Sequence, residues 1–194
     1  MSETLRNRQK QVAREAVIEA LAGIVAETGS LDFSVADVAN AAGVSHRTVY
    51  NHFGDRQGMI DALAEFALKL MEAEGATDLP ENLADLPDRI GPNMRAMEKN
   101  AELLIAFARL DDQTNPSPGR ERRTRGIIEL VKKAYPDLAD NKARAVGLSI
   151  RQIASSRNWY SLTREHGLSI DDAVDVATWA LRLHIDALDR NDLP

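Results

Sequence analysis

The chain has 194 residues, of which 44% are hydrophobic and 28% charged, with a formal net charge of −6, a balance that excludes a disordered or collagen-like protein. It contains no cysteine, which excludes a disulfide framework, a thiolate nucleophile and a Cys-based zinc site. No apolar run approaches the roughly 20 residues of a membrane-spanning helix, and the start Met-Ser-Glu-Thr-Leu-Arg leads into no signal-peptide core, so a cytoplasmic chain without membrane contact is expected.

The elements read in chain order are all helical. Ala13, Val17, Ala20, Leu21, Ile24 and Val25 recur at spacings of three and four, which predicts an amphipathic helix over Lys10–Glu27, stopped at Thr28-Gly29-Ser30. Ser34 then precedes Val35, Val38, Ala39 and Ala42, with Asp37 in the capping-box position, giving a second helix of about two turns. Gly43 can take the positive φ that ends one helix and turns the chain. Ser45 is the next N-cap, with Val44 before it as a hydrophobic staple, for a third short helix over His46–Phe53. Two short helices around a glycine break form a helix-turn-helix at about 33–53, whose second helix would enter a DNA major groove.

Asp55 caps a fourth helix that carries Met59, Leu63, Phe66, Ala67 and Leu70 on one stripe and ends near Glu74. Gly75–Pro87 reads as a linker with at most one helical turn. Two helices follow over Asp88–Lys99 and Asn100–Asp111, then a loop over Gln113–Gly119, a helix over Arg120–Tyr135, and a long helix over Asn141–Glu165 stopped at Gly167. Ser169 caps a last helix to about Arg190, with Asp171 and Asp172 at the positive end of its dipole. No strand pattern is present, and the expected class is all-α.

Charge alone does not point to nucleic acid, because the phosphate backbone attracts basic surfaces and this chain is acidic. The distribution is less even. Arg6, Arg8, Lys10 and Arg14 stand near the start against Glu3, whereas residues 15 to 56 hold Arg47 and Arg56 against six acids. Any DNA binding must come from a basic arm and a few placed side chains.

From Arg14 to Leu63 the chain resembles the DNA-binding domain of the tetracycline-repressor (TetR) family. The resemblance is carried by Ala16 to Gly29, by Phe33-Ser34-Val35-Ala36-Asp37-Val38-Ala39, by the turn Ala42-Gly43-Val44-Ser45, and by Thr48-Val49-Tyr50-Asn51-His52-Phe53. It implies a two-domain homodimer, with residues 1–56 binding a palindromic operator and 57–194 binding a small ligand and the second protomer. It also implies repression that the ligand relieves. Arg47 stands where family members often have Gly, Arg56 where they often have Lys, and Asp55 brings an acid near the expected phosphate.

Within the third helix, Val49 and Phe53 are expected to face the core. Arg47 lies on another face near the helix start, where a guanidinium can bond guanine O6 and N7 together. His46 and Asn51 are further candidates for base edges. Thr48, Tyr50 and His52 have donors suited to phosphate oxygens, and the resemblance implies phosphate contacts for Thr48 and Tyr50. Ser34 and Ser45 are helix caps whose helix ends also present free amides to a phosphate. Arg56 is expected to pair with phosphate at the start of the fourth helix.

Catalytic and metal readings find no support in the pattern. His46 and His52 are six apart, His166 and His184 stand alone, and the neighbours in Asp111-Asp112 and Asp171-Asp172 point different ways on a helix. There is no Gly-rich phosphate loop and no serine nucleophile elbow, so neither an enzyme nor a cofactor or metal is expected.

In the long helix Val146, Ile150, Ile153 and Tyr160 mark one stripe, while Leu148, Trp159 and Leu162 fall on other faces. The last helix has Val174, Ala177, Leu181 and Leu188 in a stripe, with Val176, Ala180 and Leu183 beside it. That breadth exceeds the single face a surface helix buries. The resemblance implies that these two helices form a two-fold four-helix bundle with a second copy. Met94, Met97, Leu104, Phe107 and Trp159 are candidates for the walls of a ligand pocket, since Met and aromatic residues suit adaptable apolar sites. The competing reading is a helical small-molecule-binding or enzymatic domain in which the helix-turn-helix only packs. It predicts no operator binding and no effect of changing Arg47.

Overall fold

A computed structural model describes residues 5–75, 78–109, 118–190 and 192. The expected loop over Gln113–Gly119 lies outside them as far as position 117, as does Asp111-Asp112. Ten helices form among the described residues: α1 (Leu5–Thr28), α2 (Val35–Ala41), α3 (His46–Phe53), α4 (Arg56–Ala73), α5 (Ile90–Lys99), α6 (Ala101–Arg109), α7 (Pro118–Ala134), α8 (Asp140–Ile153), α9 (Ser156–Tyr160) and α10 (Ile170–Asp189). No strand forms among them, as the composition and period require.

The chain divides into two compact units, Met1–Lys69 with Glu102–Leu110, and Leu70–Ala101 with Asp111–Pro194. In the first, α1, α2 and α3 pack on one another. Val17, Leu21 and Val25 of α1, Leu31 and Phe33 of the following loop, Val38 and Ala39 of α2, Val49 of α3 and Met59 and Leu63 of α4 are buried. Each fully buried Leu, Val or Met contributes roughly 1.5–3 kcal/mol. Leu5 starts α1 earlier than Lys10, so the basic residues expected in an arm are helical. Arg14 is among them, with its guanidinium 5.4 Å from the centroid of the Phe53 ring.

In the second unit, the stretch expected as a linker holds two 3₁₀ turns, Leu83–Asp85 and Pro87–Arg89. They lead into α5 and bury Leu83, Leu86 and Pro87. Helices α7 and α8 form an antiparallel hairpin. Lys132 lies 2.7 Å from Asp140 at its closed end, and Gly147 faces Ile128 further along. A Cβ at Gly147 would lie 2.7 Å from Ile128 Cγ1 and 3.1 Å from its Cα, so the absence of a side chain sets how closely the two helices approach. Helix α10 lays Ala173, Ala177, Leu181 and Leu188 inward and packs on α5 and α8.

The expected continuous helix over Asn141–Glu165 is broken. Helix α8 ends at Ile153 and α9 starts at Ser156, and side chains satisfy the backbone groups the break frees. Ser155 Oγ accepts from Asn158 N at 3.1 Å and donates to Gln152 O at 2.7 Å, and Asn158 Nδ2 donates to Ile153 O at 2.9 Å. A π-helical turn then runs over Ser161–Glu165. Apolar periodicity continues through this region and so conceals a break made by hydrogen bonding.

Candidate nucleic-acid interface

Helices α2 and α3 are held as a helix-turn-helix by local chemistry. Ser34 Oγ accepts from Asp37 N at 3.0 Å and donates to Asp37 Oδ2 at 2.6 Å, capping α2. At its other end Val44 N donates to Ala39 O and Gly43 N to Asn40 O, at 2.9 and 3.1 Å. With Gly43 at φ +66°, this is a Schellman motif, and only a residue without Cβ adopts that φ without strain. Ser45 Oγ caps α3 by accepting from Thr48 N at 3.1 Å and shares a further hydrogen bond with Thr48 Oγ1.

Helical geometry then assigns the faces of α3. Val49 is buried and Phe53 half-buried on the inner side. At 100° per residue, Arg47 and Asn51 stack one turn apart on the opposite side, and both are exposed. Among the described residues, the Arg47 guanidinium makes no ion pair or hydrogen bond, so its donors are open to an incoming ligand. His46 and Tyr50 flank this stripe on one edge, where Tyr50 is 51% exposed. Thr48 and His52 flank it on the other and are half-buried. Six of the nine residues expected to meet DNA therefore surround one outward face.

The remaining three differ. Ser34 and Ser45 have their hydroxyls committed to capping, which leaves the helix ends themselves as the groups able to meet an anion. Arg56 turns back into its own domain: Nη2 donates to Leu31 O at 2.6 Å, the guanidinium lies 4.9 Å from the Phe33 ring centroid, and Asp32 Oδ1 is 3.7 Å away. It ties the start of α4 to the loop between α1 and α2. Asp55 caps α4 by accepting from Gly58 N at 2.8 Å. Gly58 is required there, since a Cβ would stand 2.0 Å from Phe53 O.

The expected pocket residues divide between the units. Leu104 and Phe107 lie in α6 with the first, whereas Met94, Met97 and Trp159 lie in the second. Trp159 is fully buried and held on two sides. Its Nε1 donates to Glu98 Oε2 at 3.0 Å, and Arg164 donates to Glu98 Oε1 at 2.7 Å while lying over the indole. A cavity of about 260 Å³ in the second unit is lined by Ala84, Pro87, Asp88, Arg182, Ile185 and Asp186, none of them an expected wall residue. No described helix is long and apolar enough to cross a membrane, and no three metal-ligating side chains cluster among the described residues.

Residues 17–63 match the family described as bacterial regulatory proteins, tetR family. The HTH-type transcriptional regulator AlkX of Mycobacterium tuberculosis is 33% identical over 63 residues, which cover 32% of this chain and 28% of that protein. The chain thus aligns with little more than a quarter of that relative. Among solved structures, a TetR-like transcriptional regulator from a Rhodococcus species superposes with a TM-score of 0.63 at 14% identity, over 90% of this chain and 96% of that one. A TetR variant from Acinetobacter baumannii, solved in complex with minocycline, gives 0.60 at 17% identity, over 91% and 96%. The TetR family repressor AlkX from a Dietzia species, implicated in biodegradation of n-alkanes, gives 0.50 at 21%, over 90% and 97%. These likenesses show the fold across most of the chain, and the match over residues 17–63 is to the tetR family over that segment.

Proposed function

We propose that this chain is a homodimeric, sequence-specific transcriptional repressor whose DNA binding is released by a small ligand. The observation that carries the reading is the outward face of α3. It presents Arg47 and Asn51 side by side, opposite buried Val49, on a helix braced by α1 and α2. Arg47 would bond guanine through its paired N–H groups, and Asn51 or His46 would read a neighbouring base edge. Thr48, Tyr50 and His52, with the N-terminal ends of α2 and α3, would hold phosphates and set the register. A chain acting on the chromosome works in the cytoplasm.

Dimerisation is inferred from α8 and α10. Val176, Trp179 and Leu183 are spaced three and four residues apart on α10 and are 42%, 63% and 44% exposed, and Leu148 of α8 is 41% exposed. A second copy would cover this face about a two-fold axis, so that two α3 helices read inverted half-sites. The ligand would sit in the second unit, with Met94 and Met97 as adaptable wall residues. Helix α4 runs unbroken from Arg56 to Ala73, so a ligand that favours one packing of the second unit can shift the DNA-binding helices through it.

The test is selection on random duplex DNA with the purified full chain. An enriched inverted repeat is expected. A folded protein that enriches no sequence overturns the proposal.

A further inference from the structure

The antiparallel register of α7 and α8 brings together cations that lie far apart in the sequence. Lys132 meets Asp140 and Ile128 meets Gly147. One turn further along, Arg151 of α8 must face the level of Arg123 and Arg120 on α7. The charges do act on one another there: burial first, then Arg123 and Arg120, push the Arg151 guanidinium down to about 10, and burial lowers Arg123 as well. Arg151 Nη1 reaches Ala154 O at a long 3.4 Å, but its Nε is buried with no hydrogen-bond partner.

An orphaned N–H on a charged, partly buried group is destabilising, because its desolvation is not repaid by a hydrogen bond. Planar N–H donors of this kind match a carboxylate or phosphate in the two-point geometry that makes such contacts strong. That cost is not offset by burying the stem of Arg151, because a methionine would bury as much without the charge.

We propose that the second unit binds an oxyanion, the carboxylate or phosphate group of its ligand, between α7 and α8 against Arg151 with Arg123 beside it. The inference rests on reading this unit as ligand-binding and adds the chemical class of the ligand. Octanoate represents a carboxylate on an apolar tail, inorganic phosphate represents the free anion, and octanol is the uncharged counterpart of the first.

The experiment is calorimetric titration of the full chain with these three probes at fixed ionic strength, in the wild type and in Arg151→Met. Octanoate or phosphate should bind the wild type, and octanol should bind at least about tenfold more weakly than octanoate. Arg151→Met should lose about tenfold in affinity for the oxyanion that binds, and little for octanol. Octanoate binding alone identifies a carboxylate with a tail, and phosphate binding alone identifies a phosphate head. Equal affinity for octanoate and octanol, or binding of neither oxyanion, overturns the proposal, and both readings need only the wild type should the variant fail to fold. Undiminished oxyanion binding by folded Arg151→Met also overturns it. Binding of a selected duplex by the same preparations separates the two levels. Retained duplex binding with no oxyanion preference removes only the anion site, whereas a wild type that selects no duplex removes the regulator reading.

Discussion

Replacing Arg56 by methionine, which keeps the aliphatic volume and removes the guanidinium, separates two roles for a cation at the start of α4. The guanidinium gives up a charge-assisted hydrogen bond to Leu31 O and its position over Phe33. The Arg56 side chain is 47% exposed, so the hydrogen bond belongs at the lower end of its range, about 1.5 kcal/mol. The ring contact adds about 0.5 kcal/mol at such exposure. The ion pair adds almost nothing, because Asp32 is 98% exposed and screened. The expected loss is about 2 kcal/mol, a fall in Tm of roughly 4–8 °C for a chain of this length. Thermal unfolding followed by circular dichroism measures it. A residue that instead holds phosphate leaves Tm unchanged, and its removal from both protomers of a dimer flattens the slope of log affinity against log salt by about 2. An unchanged Tm together with that flatter slope refutes the account of Arg56 as a tie between α4 and the loop before α2.

Gly58→Ala places a Cβ against the Phe53 carbonyl. It should cost about 1–3 kcal/mol in urea unfolding and weaken duplex binding, because the end of α3 must move; a neutral result would mean the contact relaxes freely. The Tyr135 hydroxyl is pushed up to about 12 by burial and by its hydrogen bond to Asp189. The folded state therefore keeps the proton that the unfolded chain releases near pH 10, and the stabilisation is full below pH 10 and lost as pH rises towards 12. The urea midpoint of the wild type should fall more steeply over that window than that of Tyr135→Phe; parallel curves would contradict it. Trp179→Glu should convert the dimer to monomer in sedimentation velocity without lowering helix content, and an unchanged mass would show that α10 is not the interface.

The helix-turn-helix and the helix caps are legible in the sequence because their chemistry is written within three or four residues. Ser34 with Asp37, Ser45 with Thr48, and Ser169 with Asp172 each cap a helix as spacing predicts, and Gly43 stands where a left-handed φ is needed. What sequence could not supply is contact between distant positions. Arg56 reads as a free cation until Leu31 and Phe33 are seen beside it. The partners of Trp159, Glu98 at its N–H and Arg164 over its ring, are likewise joined to it only by the fold. Arg120, Arg123 and Arg151 lie far apart in the sequence, and only the α7–α8 register joins them. The break at Ser155 is hidden in the sequence for a related reason. Its signal is a serine three residues before an asparagine, weaker than the apolar stripe that runs through it.

The outward face of α3 is tested most directly by comparing the sequences selected by the wild type and by Arg47→Ala from one pool of random duplexes. Arg47 is exposed and outside the core, so the variant should unfold at the wild-type temperature. Its enriched repeat should lose preference at one base position in each half-site, with affinity for the wild-type site falling by about 1–3 kcal/mol per half-site. Identical selected repeats and equal affinity would show that α3 does not read DNA through Arg47, and the central claim would fail.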